Sequence, residues 1–209
     1  MDYVKCIKVL LKNGANIKAL DDFSKTPYQT AMQHKRKESA KCLKSAEIIR
    51  AAGKNPQELQ GLLEETSTKD ITPTCFDDAL IEACHRGNFD AACMLLVFGA
   101  KKIKESACIS IRNGHYKISA LLLLCYAALQ GNVNVLEALL DKSLDCYEWL
   151  QMFVDESVPI GTVVENIRES LKNIEDYTSI AIKLPDLGNS VTVLKDLLVN
   201  TSCRVKEKK

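Results

Sequence analysis

Asn13-Gly14-Ala15-Asn16-Ile17-Lys18-Ala19-Leu20-Asp21-Asp22-Phe23-Ser24-Lys25-Thr26-Pro27-Tyr28-Gln29-Thr30-Ala31 joins two helical patterns through turn residues at fixed offsets. On its N-terminal side Val4, Ile7, Leu10 and Leu11 recur at spacings of three and four, which puts them on one face of a helix. Gly14 stops that helix, because glycine takes the left-handed conformation after the last helical residue at no steric cost. Asp21-Asp22-Phe23-Ser24 then makes a turn tip. Thr26 caps the next helix through its hydroxyl, and Pro27 occupies the first helical position, where its missing N–H has no intrahelical partner to lose.

A second segment, residues 78–100, has the same grammar: a helix, Arg86-Gly87-Asn88, another helix, and the stop Gly99-Ala100. Leu95, Leu96 and Gly99-Ala100 echo Leu10, Leu11 and Gly14-Ala15. Arg112-Asn113-Gly114-His115 and Leu129-Gln130-Gly131-Asn132 read as further corners between helices. Between residues 121 and 126 either a turn has been lost or two helices run together as one. Residues 45–53 and 56–65 form short helical patterns separated by Gly53-Lys54-Asn55-Pro56, followed by a loop through Pro73. Beyond residue 142 helical periodicity persists in segments divided at Pro159-Ile160-Gly161 and at Leu184-Pro185-Asp186-Leu187-Gly188.

The order of helix, glycine stop, turn and Thr-Pro helix start resembles the joint between two ankyrin repeats, with Gly14, Ala15, Thr26, Pro27 and Ala31 as the matching residues. Tyr28 stands where that family usually has leucine, Gln29 replaces its histidine, and Lys35-Arg36 replaces the glycine and small polar residue between helices, which predicts a looser turn there. The intervals also depart from the family period of about 33 residues. The resemblance implies an all-α fold, an ankyrin-like helical-repeat solenoid. Residues 1–142 form its degenerate repeat region, 143–203 a divergent helical capping region, and 204–209 a basic frayed tail. It further implies a function of surface recognition without chemistry.

The rest of the composition points the same way. A chain of 209 residues, 46% hydrophobic with a net charge of +1, buries a substantial core and offers no overall charge to attract nucleic acid. Its longest apolar run, residues 118–129, is far short of the roughly 20 residues a membrane span needs. The opening residues lack a secretory pattern, so the nine cysteines read as reduced thiols of a cytoplasmic or nuclear protein, mostly serving as small core residues. His34, His85 and His115 fall at corners, no paired ligand spacing supports zinc, and adjacent Cys84 and His85 point apart on a helix. No phosphate-binding glycine loop is present, and no cofactor is expected. The short basic cluster His34-Lys35-Arg36-Lys37 reads as a solvated corner in preference to a nucleic-acid site.

The expected function is therefore a non-enzymatic scaffold that binds a protein partner of unidentified nature. Candidate contact residues are Asp21, Asp22, Phe23 and Lys25 at the turn tip, with Phe23 either anchoring an interface or packing back on the neighbouring repeat. Because the sequence opens in what the resemblance makes an outer helix, Val4, Ile7, Leu10 and Leu11 are expected to keep apolar surface exposed. That face would await an earlier repeat or a partner chain. A second reading rests on Ile167-Arg168-Glu169-Ser170-Leu171, Leu184-Pro185 and Leu194-Lys195-Asp196-Leu197-Leu198, which resemble the SOCS box of ubiquitin-ligase substrate receptors; its usual Leu-Cys-Arg element is absent.

Overall fold

A computed structural model describes residues 3–140, 146–154 and 158–172. Its local structure is governed by one repeated helix stop. At six positions the chain leaves a helix through a residue with positive φ: Gly14, Lys35, Gly87, Gly99, Gly114 and Gly131. In each case the following amide donates to the carbonyl five residues earlier, as in Ala15 to Leu10, Arg36 to Ala31 and Ala100 to Leu95. This closure satisfies carbonyls left open at the helix end and turns the chain sharply. The turn after Ala31 is thus as tight as the others. Lys35, with φ of 55°, takes the left-handed conformation itself, so the looser turn expected from the missing glycine does not occur.

The described residues form eleven α-helices and no strand. They are α1 (Val4–Lys12), α2 (Pro27–Gln33), α3 (Lys37–Lys54), α4 (Pro56–Glu65), α5 (Cys75–Arg86), α6 (Phe89–Val97), α7 (Ile103–Arg112), α8 (Tyr116–Leu129), α9 (Val133–Leu140), α10 (Tyr147–Leu150) and α11 (Ile160–Ser170). Among them no helix is long and apolar enough to cross a membrane. Residues 45–53, read separately from sequence, are the second half of the single 18-residue α3. The region around residues 121–126 is likewise one helix, α8, so no turn interrupts it.

Packing follows two rows. The helices α3, α5 and α7 touch in succession, α4, α6 and α8 do the same, and each member of one row pairs with its successor in the chain. The 3-10 turn Gln151–Phe153 extends the first row beyond α7, and α11 packs against α8 at the end of the second. Tyr126, Trp149 and Phe153 seal that end, with Trp149 and Phe153 ring centroids 4.8 Å apart. One apolar core runs through both rows, with Ile48, Leu59, Leu80, Leu95, Ile111 and Leu122 fully buried.

The N-terminal helices have a separate core. Ile17, Ala31, Ala40 and Leu43 form a small cluster, against which Ile7, Leu11 and Tyr28 are half-buried. Helix α3 joins the two cores, burying Ala40 and Leu43 on the N-terminal side and Ile48, Ala51 and Ala52 in the main one. Polar ties fix its position. The Ser45 hydroxyl accepts from the Thr72 amide at 2.8 Å, and Asn88 Nδ2 donates to the Ala52 carbonyl at 2.9 Å.

Ile48→Ala is expected to cost about 2–5 kcal/mol, because the cavity opens where no side chain can collapse into it. At Gly14 and Gly87 alanine forces a left-handed L-residue, worth about 1–2 kcal/mol at each. A Cβ at Gly87 also meets the His115 ring at 2.6 Å, whereas one at Gly14 meets open space. Urea denaturation should therefore rank Gly87→Ala as the more destabilising of the two. Equal losses would contradict the packing of His115 on Gly87.

Candidate functional site

The hairpin between α1 and α2 is organised by a single carboxylate. Asp21 Oδ1 accepts from the amides of Phe23 and Lys25, each at 2.9 Å, and its Oδ2 accepts from the Thr30 hydroxyl at 3.2 Å. The Asp21 amide donates to the Lys25 carbonyl, closing the tip as a short loop. An aspartate suits this place because its short side chain can bond backbone amides two and four residues ahead. The Lys25 amide beside Asp21 is the main cause that holds its carboxyl below the ordinary value of 3.8.

The hairpin is then tied to the helices behind it. Thr26 and Gln29 exchange hydrogen bonds in a capping box at the start of α2, as the Thr-Pro pattern leads one to expect, with Gln29 supplying the return bond to the Thr26 amide. Arg50 Nη2 donates to the Ala15 carbonyl at 3.3 Å, and Lys18 pairs with Glu58 at 2.5 Å and with Glu47 at 3.8 Å. Arg50, Glu47 and Glu58 carry no signal in sequence for this role. They act on a loop more than thirty residues away or from a helix whose register is not legible in advance.

The four tip residues divide by role. Asp21 and Lys25 hold the turn, the second through its amide and through Nζ, which donates to Gln33 Oε1 at 2.6 Å. Asp22 is exposed and Phe23 is 80% exposed, so the phenyl ring does not pack back on the neighbouring helices. Beside them lies a feature not read from the sequence as a whole. An open groove of about 650 Å³ runs between α1, the hairpin and α2, floored by Ile7, Leu10, Leu11, Leu20, Ala31 and Leu43. Leu10 is 59% exposed and Leu20 65%, while Ile7 and Leu11 turn inward to the small core. Of the four α1 residues expected to keep apolar surface exposed, Leu10 does, whereas Val4, Ile7 and Leu11 are half-buried. Leu20 gave no periodic signal, since it sits on a hairpin and not on a helix.

The groove's lining carries both signs, Lys25 and Arg36 against Asp21. Residues 1–41 contain nine Lys and Arg against four Asp and Glu, although the chain as a whole is nearly neutral. His34 also lines the groove, whereas Lys5, Lys8 and Lys12 of α1 do not. The basic cluster at residues 34–37 is the α2–α3 corner, so it forms one lip of the groove.

Elsewhere the chemistry-bearing residues serve the packing. His115 Nε2 pairs with the His85 carbonyl at 3.3 Å, joining two corners. Among the described residues no group of three or more His, Cys, Asp and Glu is placed to hold a metal. The eight described cysteines are free thiols, and all but Cys6, Cys93 and Cys108 are buried. Burial pushes Cys75 up to about 11 and Cys84, Cys93 and Cys125 up to about 12, which keeps them protonated and unreactive at neutral pH. In the SOCS-like segment Ile167 and Leu171 are buried in the main core, and Arg168 Nη2 donates to the Ala138 carbonyl at 3.5 Å. Its apolar face is spent inside the chain. Residues 184–185, 194–198 and 203–209, and the sequence reading attached to each, lie outside the described residues.

Two measurements follow from these groups. Because folding lowers the Asp21 pKa, its stabilisation of the hairpin is complete above about pH 4 and disappears as pH falls through the folded value. The Phe23 and Lys25 amide resonances should therefore titrate with a midpoint below 3.8, the ordinary carboxyl value; a midpoint at or above it contradicts the bonding. Among the described cysteines, a thiol reagent at pH 7 should label Cys6 well before Cys84 or Cys125. Equal rates in the native protein would contradict their burial.

No protein-family model matches the chain, and no curated protein matches it.

Proposed function

We propose that this chain is a non-enzymatic protein-interaction scaffold, built as an ankyrin-like helical-repeat array and working in the cytoplasm or nucleus. The observation that carries the reading is Phe23, an aromatic ring 80% exposed at the tip of a hairpin held by Asp21 and Lys25. A large apolar side chain on a braced backbone gives a partner contact area at little ordering cost, which is how interface anchors work. The recurring corner closure and the paired helical rows support the repeat reading. The reduced, buried thiols fit a reducing compartment.

Phe23→Ala tests it. The ring touches little of its own chain, so stability should change by no more than about 0.5 kcal/mol. Quantitative mass spectrometry of proteins retained by the wild-type and variant chains should show a partner depleted at least about tenfold, the effect of losing an anchor worth more than 1.4 kcal/mol. A lowered melting temperature with every partner retained would defeat the contact role.

A further inference from the structure

We propose that Asn13 is a site of spontaneous modification, where the side-chain amide gives way to a carboxylate through a succinimide, while the same dipeptide at Asn113 is protected by the main core. This goes beyond the scaffold reading and does not depend on it. Asn-Gly occurs twice in the chain, at Asn13-Gly14 and Asn113-Gly114. Glycine is the neighbour that most readily permits ring closure, because no side chain shields its nitrogen and its backbone turns freely. Base removes the Gly14 amide proton, the nitrogen attacks Asn13 Cγ, and a C–N bond closes the cyclic imide as the side-chain amide takes a proton from water and leaves as ammonia. Water then opens the ring at either carbonyl to give aspartate or isoaspartate. The net change consumes water and releases ammonia.

Locally the two sites are alike. Each asparagine follows a helix, α1 or α7, and donates through Nδ2 to the carbonyl four residues back, Val9 at 2.8 Å and Ile109 at 3.0 Å. The Gly14 amide donates to the Leu11 carbonyl and the Gly114 amide to that of Ile111. Ring closure breaks both bonds at a site, since the glycine nitrogen must lose its proton and the side chain must swing round to it. Conversion therefore follows the opening of the helix end. The surroundings of the two ends differ. Helix α1 contains no buried residue, and a Cβ placed at Gly14 meets open space. Arg50 ties down the Ala15 carbonyl, one residue past Gly14, but not the bonds that ring closure breaks. Helix α7 buries Ile103, Ser106, Ala107, Ser110 and Ile111. Asn113 Nδ2 also lies 3.4 Å from His85 Nδ1, and the His115 ring pairs with the His85 carbonyl, so opening there disturbs the joint with α5. Opening at Asn13 frees only the last turn of α1. The product cannot rebuild that stop: a carboxylate has no N–H for Val9, and it sets negative charge among the carbonyls at a helix C-terminus, the end that favours cations. Conversion thus loosens the joint between α1 and the hairpin.

The test is to age the full chain at neutral pH, and in parallel in guanidinium chloride, and to follow both Asn-Gly peptides by mass spectrometry. Dividing the denatured rate by the native rate gives the protection of each site. Protection at Asn113 should exceed that at Asn13 by at least about tenfold. Isoaspartate should form at Asn13 together with aspartate, because only the ring gives both. Leu43→Ala, which removes a buried side chain of the N-terminal core, should speed conversion at Asn13 more than at Asn113. Asn13→Asp supplies the aspartate product directly and should speed amide exchange from Leu10 to residue 13 about threefold or more. Equal protection at the two sites would overturn the proposal, as would an Asn13 that stays intact in the native chain while it converts in denaturant. Aspartate formed without isoaspartate would overturn the succinimide route, and unchanged exchange in Asn13→Asp would overturn the loosening.

Discussion

Everything N-terminal in this protein hangs on α3. One helix of 18 residues passes from the small core to the main core, and α1, α2, α4 and α5 all pack against it. Such a helix cannot be amphipathic in the usual sense. It buries Ser39, Ala40, Cys42 and Leu43 in one direction, then Ile48, Ala51 and Ala52 in another, so its apolar residues form two short stripes. Small residues make that double duty feasible. At Gly53 a Cβ would meet Glu82 Oε1 at 2.9 Å, so the missing side chain lets α5 approach closely. If α3 broke near its middle, the hairpin and α1 would lose the apolar support that α3 gives them.

The consequence is an uneven distribution of cohesion. The main core gathers side chains from both rows, whereas the N-terminal cluster has four buried residues, two of them alanines. Apolar burial scales with area, so this end is held less firmly by packing and depends more on directional bonds. Asp21, the Thr26–Gln29 capping box, Arg50 and Lys18 supply those bonds. They brace the backbone and leave Leu10, Leu20 and Phe23 in solvent.

Helix ends were the legible part of the sequence. Gly14, Gly87, Gly99, Gly114 and Gly131 mark stops because only glycine adopts positive φ freely, and the structure uses each of them so. Thr26-Pro27 marked the start of α2 for an equally local reason. Lys35 escaped notice since nothing in its side chain advertises the left-handed conformation it takes. The extents of α3 and α8 were obscure for a different reason: α3 buries two faces, and α8 is buried almost all round from Ile118 to Ala128, so neither shows a clean stripe to follow. At the candidate site, the tip residues could be named from turn chemistry, but periodicity did not separate the exposed Leu10 from Val4, Ile7 and Leu11, which are half-buried. The division of labour within the tip could not be named, because it depends on where Thr30, Gln33 and Arg50 arrive from other elements. The groove needed Leu20 to be brought beside α1, which no local pattern encodes.

The central claim is that α1 is an incompletely covered helix held on a continuous, well-buried α3. Amide hydrogen exchange of the full chain tests it directly. Amides across α3, from Leu43 to Ala52, should exchange together and only through global unfolding, while those of α1 exchange much faster through local opening. A break in protection within α3, or an α1 as slowly exchanging as α3, would contradict the account.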